Sequence, residues 1–322
     1  MAPVSNSTES SLMRVIFALL TVYFVWGSTY LALKYAIVGL PPFLLVGVRN
    51  LLAAIILLPF AWKALKSNMH KPQIFAALFT GLLLVVCGNG SVTYAQSHGV
   101  PSAIAALVVG LVPSWMTVFT LFGSNKTKQT SRSILIKIVG LLAGLCGLSL
   151  LVADGSLSPT AGSWTMTTVL VFGTVTWAYG SVRSKFLNSH PDLFAATALS
   201  MASGAVIALF IGGALGEHNT VGTLNLTPQA LWSFAYLVVF GSVIAFSAYG
   251  WLLKHADPTL TGTYAYVNPL IAIALGYFVG GEELSASVFI AGAMIIVSVV
   301  IITTAGRVDA RYAIRSLRKK AA

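Results

Sequence analysis

The stretch "DPTLTGTYAYVNPLIAIALGYFVGGEELS", Asp257 to Ser285, decides how the chain is read. Most of it is an apolar run long enough for one membrane-spanning helix, with Pro269 near its middle and Glu282 and Glu283 just past its end. A looser copy, "HGVPSAIAALVVGLVPSWMTVFTLFGSNKTKQTS", runs from His98 to Ser131. There Pro101 answers Pro258, Pro113 answers Pro269 and His98 answers His255. A helix that occurs twice with a proline at the same depth points to a duplicated membrane protein with a central site.

The surrounding composition agrees. The chain is 57% hydrophobic and 8% charged, against roughly 25% charged for soluble domains. Its mean hydropathy is +0.87, the signature of an all-α polytopic membrane protein whose partner is the lipid bilayer. A net charge of +11 would suggest nucleic acid in a soluble protein; here the basic residues sit in short loops and at the C-terminus, where they set topology. Cys87 and Cys146 lie inside apolar runs and suggest no disulfide. The first apolar run lacks a small-residue cleavage site and reads as a retained helix.

A bilayer core takes about 20 apolar residues as a helix. Ten segments qualify: 15–34, 42–62, 73–95, 102–122, 134–153, 164–183, 193–215, 230–253, 260–280 and 286–305. Short connections marked by proline, as at Pro41, Pro72, Pro101, Pro159, Pro191, Pro228 and Pro258, leave no room for a soluble domain. Lys63, Lys66, Lys71, Lys126, Lys128, Arg132, Lys137, Arg183, Lys185 and Lys254 fall on one set of loops and helix ends, with the basic tail from Arg307 to Lys320. The opposite set holds Asp154, Glu217, Glu282 and Glu283, with Lys34 its one basic residue. Positive residues stay inside, so both termini are expected in the cytoplasm.

Further pairs extend the duplication. "FVWGSTY" (24–30) matches "VTWAYGS" (175–181), aligning Trp26 with Trp177; Pro42 aligns with Pro191; "KIVGLLAGLCGLSLLV" (137–152) resembles "FIAGAMIIVSVVIITT" (289–304). The expected layout is a cytoplasmic tail 1–14, a first five-helix repeat 15–153, a second 164–305 and a basic tail 306–322. Five is odd, so the copies cross the membrane in opposite senses around a central cavity, an arrangement that recurs in secondary transporters.

Polar groups inside a membrane are costly and are functional candidates by default. Arg49 lies seven residues beyond Pro42, about 10 Å deep. It has two readings: a bidentate contact to a substrate carboxylate or phosphate, or a side chain that snorkels or caps backbone carbonyls. Lys34 reads as an interfacial anchor or a substrate contact. Trp26, Ser28 and Thr29 lie mid-helix, where they either line a cavity or, for the hydroxyls, bond back to their own helix. The breaker "CGNGSVTYAQSH" makes Asn89, Tyr94 and Gln96 candidates for the outer half of a pathway; His98 reads as a loop histidine. Thr261, Tyr264 and Asn268 share a helix face at i, i+3 and i+7. Pro113 and Pro269 are expected helix breaks that free the carbonyls of Val109 and Ala265, for a ligand or as packing kinks. Trp62, Trp164 and Trp232 suit an interfacial belt. Trp115, Trp177, Tyr179 and Tyr249 suit a cavity wall or a core. Gly140, Gly144 and Gly147 allow close helix approach, inside the bundle or at a dimer contact; a monomer and a homodimer both fit.

No acidic residue is centred in a span, so a carboxylate proton relay has no support. Phosphate loops, metal-ligand spacings and nucleophile–base arrangements are absent, so neither a cofactor, a metal nor an enzyme is indicated.

The combination "WGSTY", "PPFLLVGVR", "GNG…VPSAIAALVVGLVP" and "TYAYVNPL…GGE" resembles the EamA-type branch of the drug/metabolite transporter superfamily over nearly the whole chain. The resemblance implies ten helices in two inverted five-helix repeats around a central cavity, and export or exchange of amino acids and related metabolites across a bacterial inner membrane. It carries the family's helix-2 arginine onto Arg49, its two prolines onto Pro113 and Pro269, and its Gly-Glu onto Gly281 and Glu282. The first copy departs from it at Ser124, Asn125 and Lys126, where an acidic residue often stands. The resulting expectation is a secondary carrier for small polar or amphipathic metabolites, exporting amino acids by alternating access. Arg49 would contact the anion, and Trp26, Thr29, Asn89, Tyr264 and Asn268 would line the cavity. A passive pore and a non-transporting scaffold are the alternatives.

Overall fold

In a computed structural model, the chain is described over residues 5–66, 70–121, 131–153, 163–184, 186–187, 189–223, 226–256, 261–298, 300, 301 and 304. The expected breaks and charges at Lys126, Lys128, Asp154, Pro159, Lys185 and Pro258, the stretch Ser124–Lys126 and the tail 306–322 lie outside these residues. The described residues form ten helices: α1 (Ser5–Ala36), α2 (Pro42–Leu65), α3 (Lys71–Ser97), α4 in two pieces (Ser102–Val109 and Val112–Leu121), α5 (Ser131–Ala153), α6 (Ser163–Ser184), α7 (Leu193–Ala214), α8 (Pro228–His255), α9 (Tyr264–Phe278) and α10 (Ala286–Ser298). Five of them, α1 from Met13, α2, α3, α7 and α8, are long and apolar enough to cross a membrane. α1 begins at Ser5, well inside the expected tail 1–14, because no proline or glycine interrupts the run from Ser5.

The starts have local causes. Pro42 and Pro228 take the first helical position of α2 and α8, where a missing N–H costs nothing. The Asp192 carboxylate accepts from Ala195 N at 2.8 Å to cap α7, and Thr227 Oγ1 accepts from Ala230 N at 3.2 Å to cap α8.

The two prolines act differently from each other. α4 breaks at Gly110–Leu111, and Pro113 stands in the first turn of the second piece. α9 runs unbroken through Pro269, which corrects the expected break there. Proline removes one i→i−4 bond, and the turns on either side are enough to carry the helix across it. Other irregularities are two π-helical segments, Gly81–Asn89 within α3 and Leu237–Ile244 within α8.

The packing has a two-fold pattern. α2 packs on α7, and α4 on α9; α1 packs on α8 and α9, as α6 packs on α3 and α4; α3 packs on α7, as α8 packs on α2. Every one of these contacts is preserved when α1–α5 are exchanged with α6–α10. Two Gly-Glu turns fix the direction. After α7, Gly216 takes a φ of 78° and Glu217 accepts from Phe43 N (3.1 Å) and Leu44 N (2.7 Å) at the start of α2. After α9, Gly281 takes a φ of 60° and Glu282 accepts from Ser102 N (3.0 Å) and Ala103 N (3.2 Å) at the start of α4. A carboxylate satisfies orphan N–H groups and the helix dipole together. The C-terminal end of α7 thus meets the N-terminal end of α2, and that of α9 the start of α4, so equivalent helices run antiparallel. These turns lie on one side of the bundle, the Glu282 face; Lys254 and the start of α7 mark the other, the Lys254 face.

Gly144 and Gly147 of α5 face α10. An added Cβ at Gly144 would come within 2.7 Å of Ser298 Oγ, and one at Gly147 within 3.0 Å of the Ala291 carbonyl. The close-approach glycines therefore pack within this chain. Trp62, Trp164 and Trp232 are exposed near helix ends.

Candidate functional site

A cavity at the centre of the bundle is lined from α1, α2, α3, α4, α6 and α9, and all six residues singled out in the sequence meet on it: Trp26, Thr29, Arg49, Asn89, Tyr264 and Asn268. Its volume is about 70 Å³. That is room for about five waters. The site is therefore compact, nearer to a small metabolite than to a large drug.

Arg49 is buried, at 6% exposure. Its Nε donates to Ser242 Oγ at 2.7 Å. No acidic side chain pairs with it among the described residues. Its position depends on Gly241, where a Cβ would come within 2.9 Å of the guanidinium Nη2 and 3.0 Å of Thr29 Cγ2. A charge held in a dry interior without a counter-ion costs several kcal/mol, and an anion or water entering the cavity offsets part of that cost.

Other donors are left open beside it. Asn89 Nδ2 is buried with no hydrogen-bond partner. Trp177 Nε1 and the Tyr264 hydroxyl also lack partners, lying near each other and near the Tyr249 hydroxyl short of bonding geometry. The threonines instead spend their protons on their own helices: Thr29 on Trp26 O (2.7 Å), Thr93 on Asn89 O (2.8 Å) and Thr174 on Val171 O (2.7 Å). In its satisfied orientation the Asn268 amide donates to the carbonyls of Tyr264 (3.2 Å) and Tyr23 (3.0 Å), tying α9 to α1.

The cavity floor, toward the Lys254 face, is aromatic. Trp26 sits at the centre of a cluster, with ring centroids 5.5 Å from Trp177, 5.4 Å from Phe246, 4.9 Å from Tyr249 and 5.5 Å from Tyr264. Below it lies a second, wider cavity of about 370 Å³, lined by Phe246, Tyr249, His190, Lys254 and several hydroxyls of α3 and α7. Rings of the one cluster line both cavities, Trp26, Trp177 and Tyr264 the first and Phe246 and Tyr249 the second.

The remaining candidates lie elsewhere. Ser28 Oγ meets the Tyr236 hydroxyl at 2.7 Å and its own helix carbonyls. Thr261 is buried below the cavity and donates to Leu252 O at 3.5 Å. Gln96 Nε2 reaches Tyr30 O at 3.3 Å; Tyr94 stacks near His98 and Phe43. Lys34 donates to Gly280 O (2.6 Å) and lies 3.4 Å from Glu282, a structural partner away from the cavity. Trp177 joins the cavity wall, Tyr249 the second cavity, and Tyr179 is 39% exposed beside Phe79 and Phe119.

Sequence reading missed Gly88, Gly241 and Ser242, yet the signal was present. "LVVCGN" (84–89) and "LVVFGS" (237–242) are repeats at the same spacing as the other pairs, and each lies in a π-helical segment: the first lends Gly88 and Asn89 to the cavity wall, the second holds Ser242, the partner of Arg49. A π turn commonly marks a functional site. Trp26 Nε1 donates to the Gly241 carbonyl at 3.2 Å. Its repeat partner Trp177 rests on Gly88, where a Cβ would come within 2.5 Å of Trp177 Cε3.

The sequence profile of the EamA-like transporter family matches residues 13–153 and 164–304. An uncharacterized inner membrane transporter of Escherichia coli K12, YedA, is 35% identical over 293 residues, covering 91% of each chain. An uncharacterized transporter of Bacillus subtilis, YoaV, is 23% identical, covering 88% of this chain and 94% of its own. One solved crystal structure superposes with a TM-score of 0.63 at 18% identity, covering 92% of this chain and 98% of that one, a likeness of fold.

Proposed function

The chain belongs to the EamA-like transporter family, within the drug/metabolite transporter superfamily, and from that premise we propose that it is a secondary carrier of amino acids or related small metabolites, working as an exporter by alternating access. The observation that carries this is the convergence of Arg49, Asn89, Trp26, Thr29, Tyr264 and Asn268 on one central cavity, in which a buried guanidinium has no acidic partner. Arg49 contacts the substrate anion; the aromatic and amide side chains hold the rest.

The architecture in this reading is ten spans in two inverted five-helix repeats, supported by the two-fold packing pattern and by the antiparallel pairs α2–α7 and α4–α9. The Lys254 face is cytoplasmic, with both termini, and the Glu282 face is external, as the lysine and arginine bias favours. The second cavity then serves as the cytoplasmic vestibule, and the aromatic floor as the barrier between it and the substrate. Such a barrier favours a carrier over a passive pore, and the central cavity favours either over a scaffold with a packed interior.

Purified protein in vesicles should give saturable uptake of a labelled amino acid or metabolite, counterflow, and no single-channel current. Arg49→Ala should reduce that uptake at least tenfold. Full activity in both Arg49→Ala and Arg49→Lys overturns the anion contact, and single-channel currents would replace the carrier by a pore.

A further inference from the structure

We infer that the central site is built for substrates of net charge −1, small organic carboxylates that lack a free ammonium, and that it discriminates against the corresponding zwitterions. This rests on the reading of the central cavity as the substrate site, and among the amino acids and related metabolites proposed above it selects the related carboxylates over the amino acids themselves. Arg49 supplies one fixed positive charge with only Ser242 on its Nε. Of the open groups nearby, Asn89 Nδ2 and Trp177 Nε1 only donate and the Tyr264 hydroxyl donates or accepts, so all three suit carboxylate and carbonyl oxygens. None of the described residues around the cavity is acidic. The chain's eight acidic residues all fall near helix ends or in connections by sequence, so no carboxylate at this depth can receive an ammonium.

Charge balance then decides between candidates. A monoanion beside Arg49 makes the loaded site neutral, while a zwitterion leaves it at +1 in a low-dielectric interior, where net charge is heavily penalised. An aromatic wall offers an ammonium a weak cation–π contact, but the guanidinium repels it at close range.

Matched pairs with the same carbon skeleton test this in the purified full chain: alanine against pyruvate, valine against 3-methyl-2-oxobutanoate, phenylalanine against phenylpyruvate. Trp26 and Trp177 report binding by fluorescence, and counterflow reports transport. The 2-oxo acid should bind at least tenfold tighter than its amino acid in at least one pair, and Arg49→Gln should collapse that ratio toward one. Tighter binding of the amino acid, lost in Asn89→Ala, overturns the charge class while keeping the cavity as the site. No binding or transport by any member of the panel overturns the charge class too. If a wider search then finds a transported solute whose uptake ignores Arg49→Gln and Asn89→Ala, the cavity reading falls as well.

A second inference rests on an independent observation. We infer that Trp26–Gly241 and Trp177–Gly88 are two halves of one exchanging latch. They are repeat equivalents, yet only one is bonded: Trp26 Nε1 reaches Gly241 O, while Trp177 meets Gly88 with the ring edge opposite its Nε1 and leaves that nitrogen without a partner. In the opposite-facing state the roles exchange. Trp177 turns its ring so that Nε1 donates to the Gly88 carbonyl, and Trp26 releases Gly241.

The two tryptophans should therefore have opposite effects on the balance between states. In a background without the native cysteines (Cys87→Ser, Cys146→Ser), Val92→Cys on the central cavity and Ser200→Cys on the second cavity report access from the two sides by thiol labelling in vesicles. Trp26→Phe should lower labelling at position 92 and raise it at 200; Trp177→Phe should do the reverse. The double variant should return both toward the parent ratio, which also separates a shifted balance from general unfolding. Shifts in the same direction, or none, overturn the latch.

Discussion

Arg49 Nε donates to Ser242 Oγ at 2.7 Å, which ties the buried guanidinium on α2 to the π-helical segment of α8. The bond holds the head group beside Asn89 and the cavity without neutralising it. Removing the hydroxyl leaves the charge and frees its direction. A hydrogen bond to a charged group contributes about 1.5–3 kcal/mol, so Ser242→Ala should raise the KM of an anionic substrate by roughly tenfold or more. Turnover at saturation should change less. A KM within twofold of the parent would mean that Ser242 does not position Arg49.

Glu282 closes three contacts at once on the far side of the bundle: two N–H groups of α4 and, more weakly, Lys34. Its carboxylate is 5% exposed, whereas the lysine side chain is 35% exposed. Glu282→Gln should therefore lower the melting temperature in detergent by several degrees, from a loss of about 1–3 kcal/mol. Lys34→Met should cost less, because exposed partners of an ion pair contribute little. Equal losses would assign the stability to the ion pair and not to the helix cap.

Much of this was legible in the sequence, for physical reasons. A 20-residue apolar length is dictated by the bilayer, so helices such as α2 and α7 announce themselves. Arg49 and Asn89 stand out because polar groups are expensive at that depth. What failed was local backbone geometry. Pro269 reads as a break in the sequence, but a single lost hydrogen bond is tolerated within α9. The break in the other copy falls at Gly110–Leu111, ahead of Pro113. Ser242 and the two π segments escaped because a hydroxyl and a glycine in an apolar run look like packing until their partners, Arg49 and Trp177, are located in space.

Gly88 tests the space left for Trp177. A methyl group there would come within 2.5 Å of Trp177 Cε3, on a ring that itself packs against Trp26 and Phe246. Gly88→Ala should shift the tryptophan fluorescence and weaken substrate binding about tenfold, since overpacking costs roughly 1–3 kcal/mol. Gly90→Ala is the control: its Cβ would meet Phe43 Cε1 at 3.4 Å, an ordinary contact. Equal effects from the two variants would remove any special role from the Gly88–Trp177 contact.

The last prediction concerns assembly. Small residues on a membrane helix serve either the fold of one chain or the contact between two, and α5 presents Gly144 and Gly147 to α10 of the same chain. At Gly144 a Cβ would approach Ser298 Oγ at 2.7 Å and Leu111 Cδ2 at 2.9 Å, so a branched side chain must push α10 and α4 away together. Gly144→Val should accordingly lower the yield of folded protein and its melting temperature by several degrees. The mass of the solubilised particle, measured by light scattering with the detergent contribution removed, should stay that of the parent. A stable variant whose parent is dimeric and which itself runs as a monomer would move these glycines from the interior of the bundle to an interface between copies.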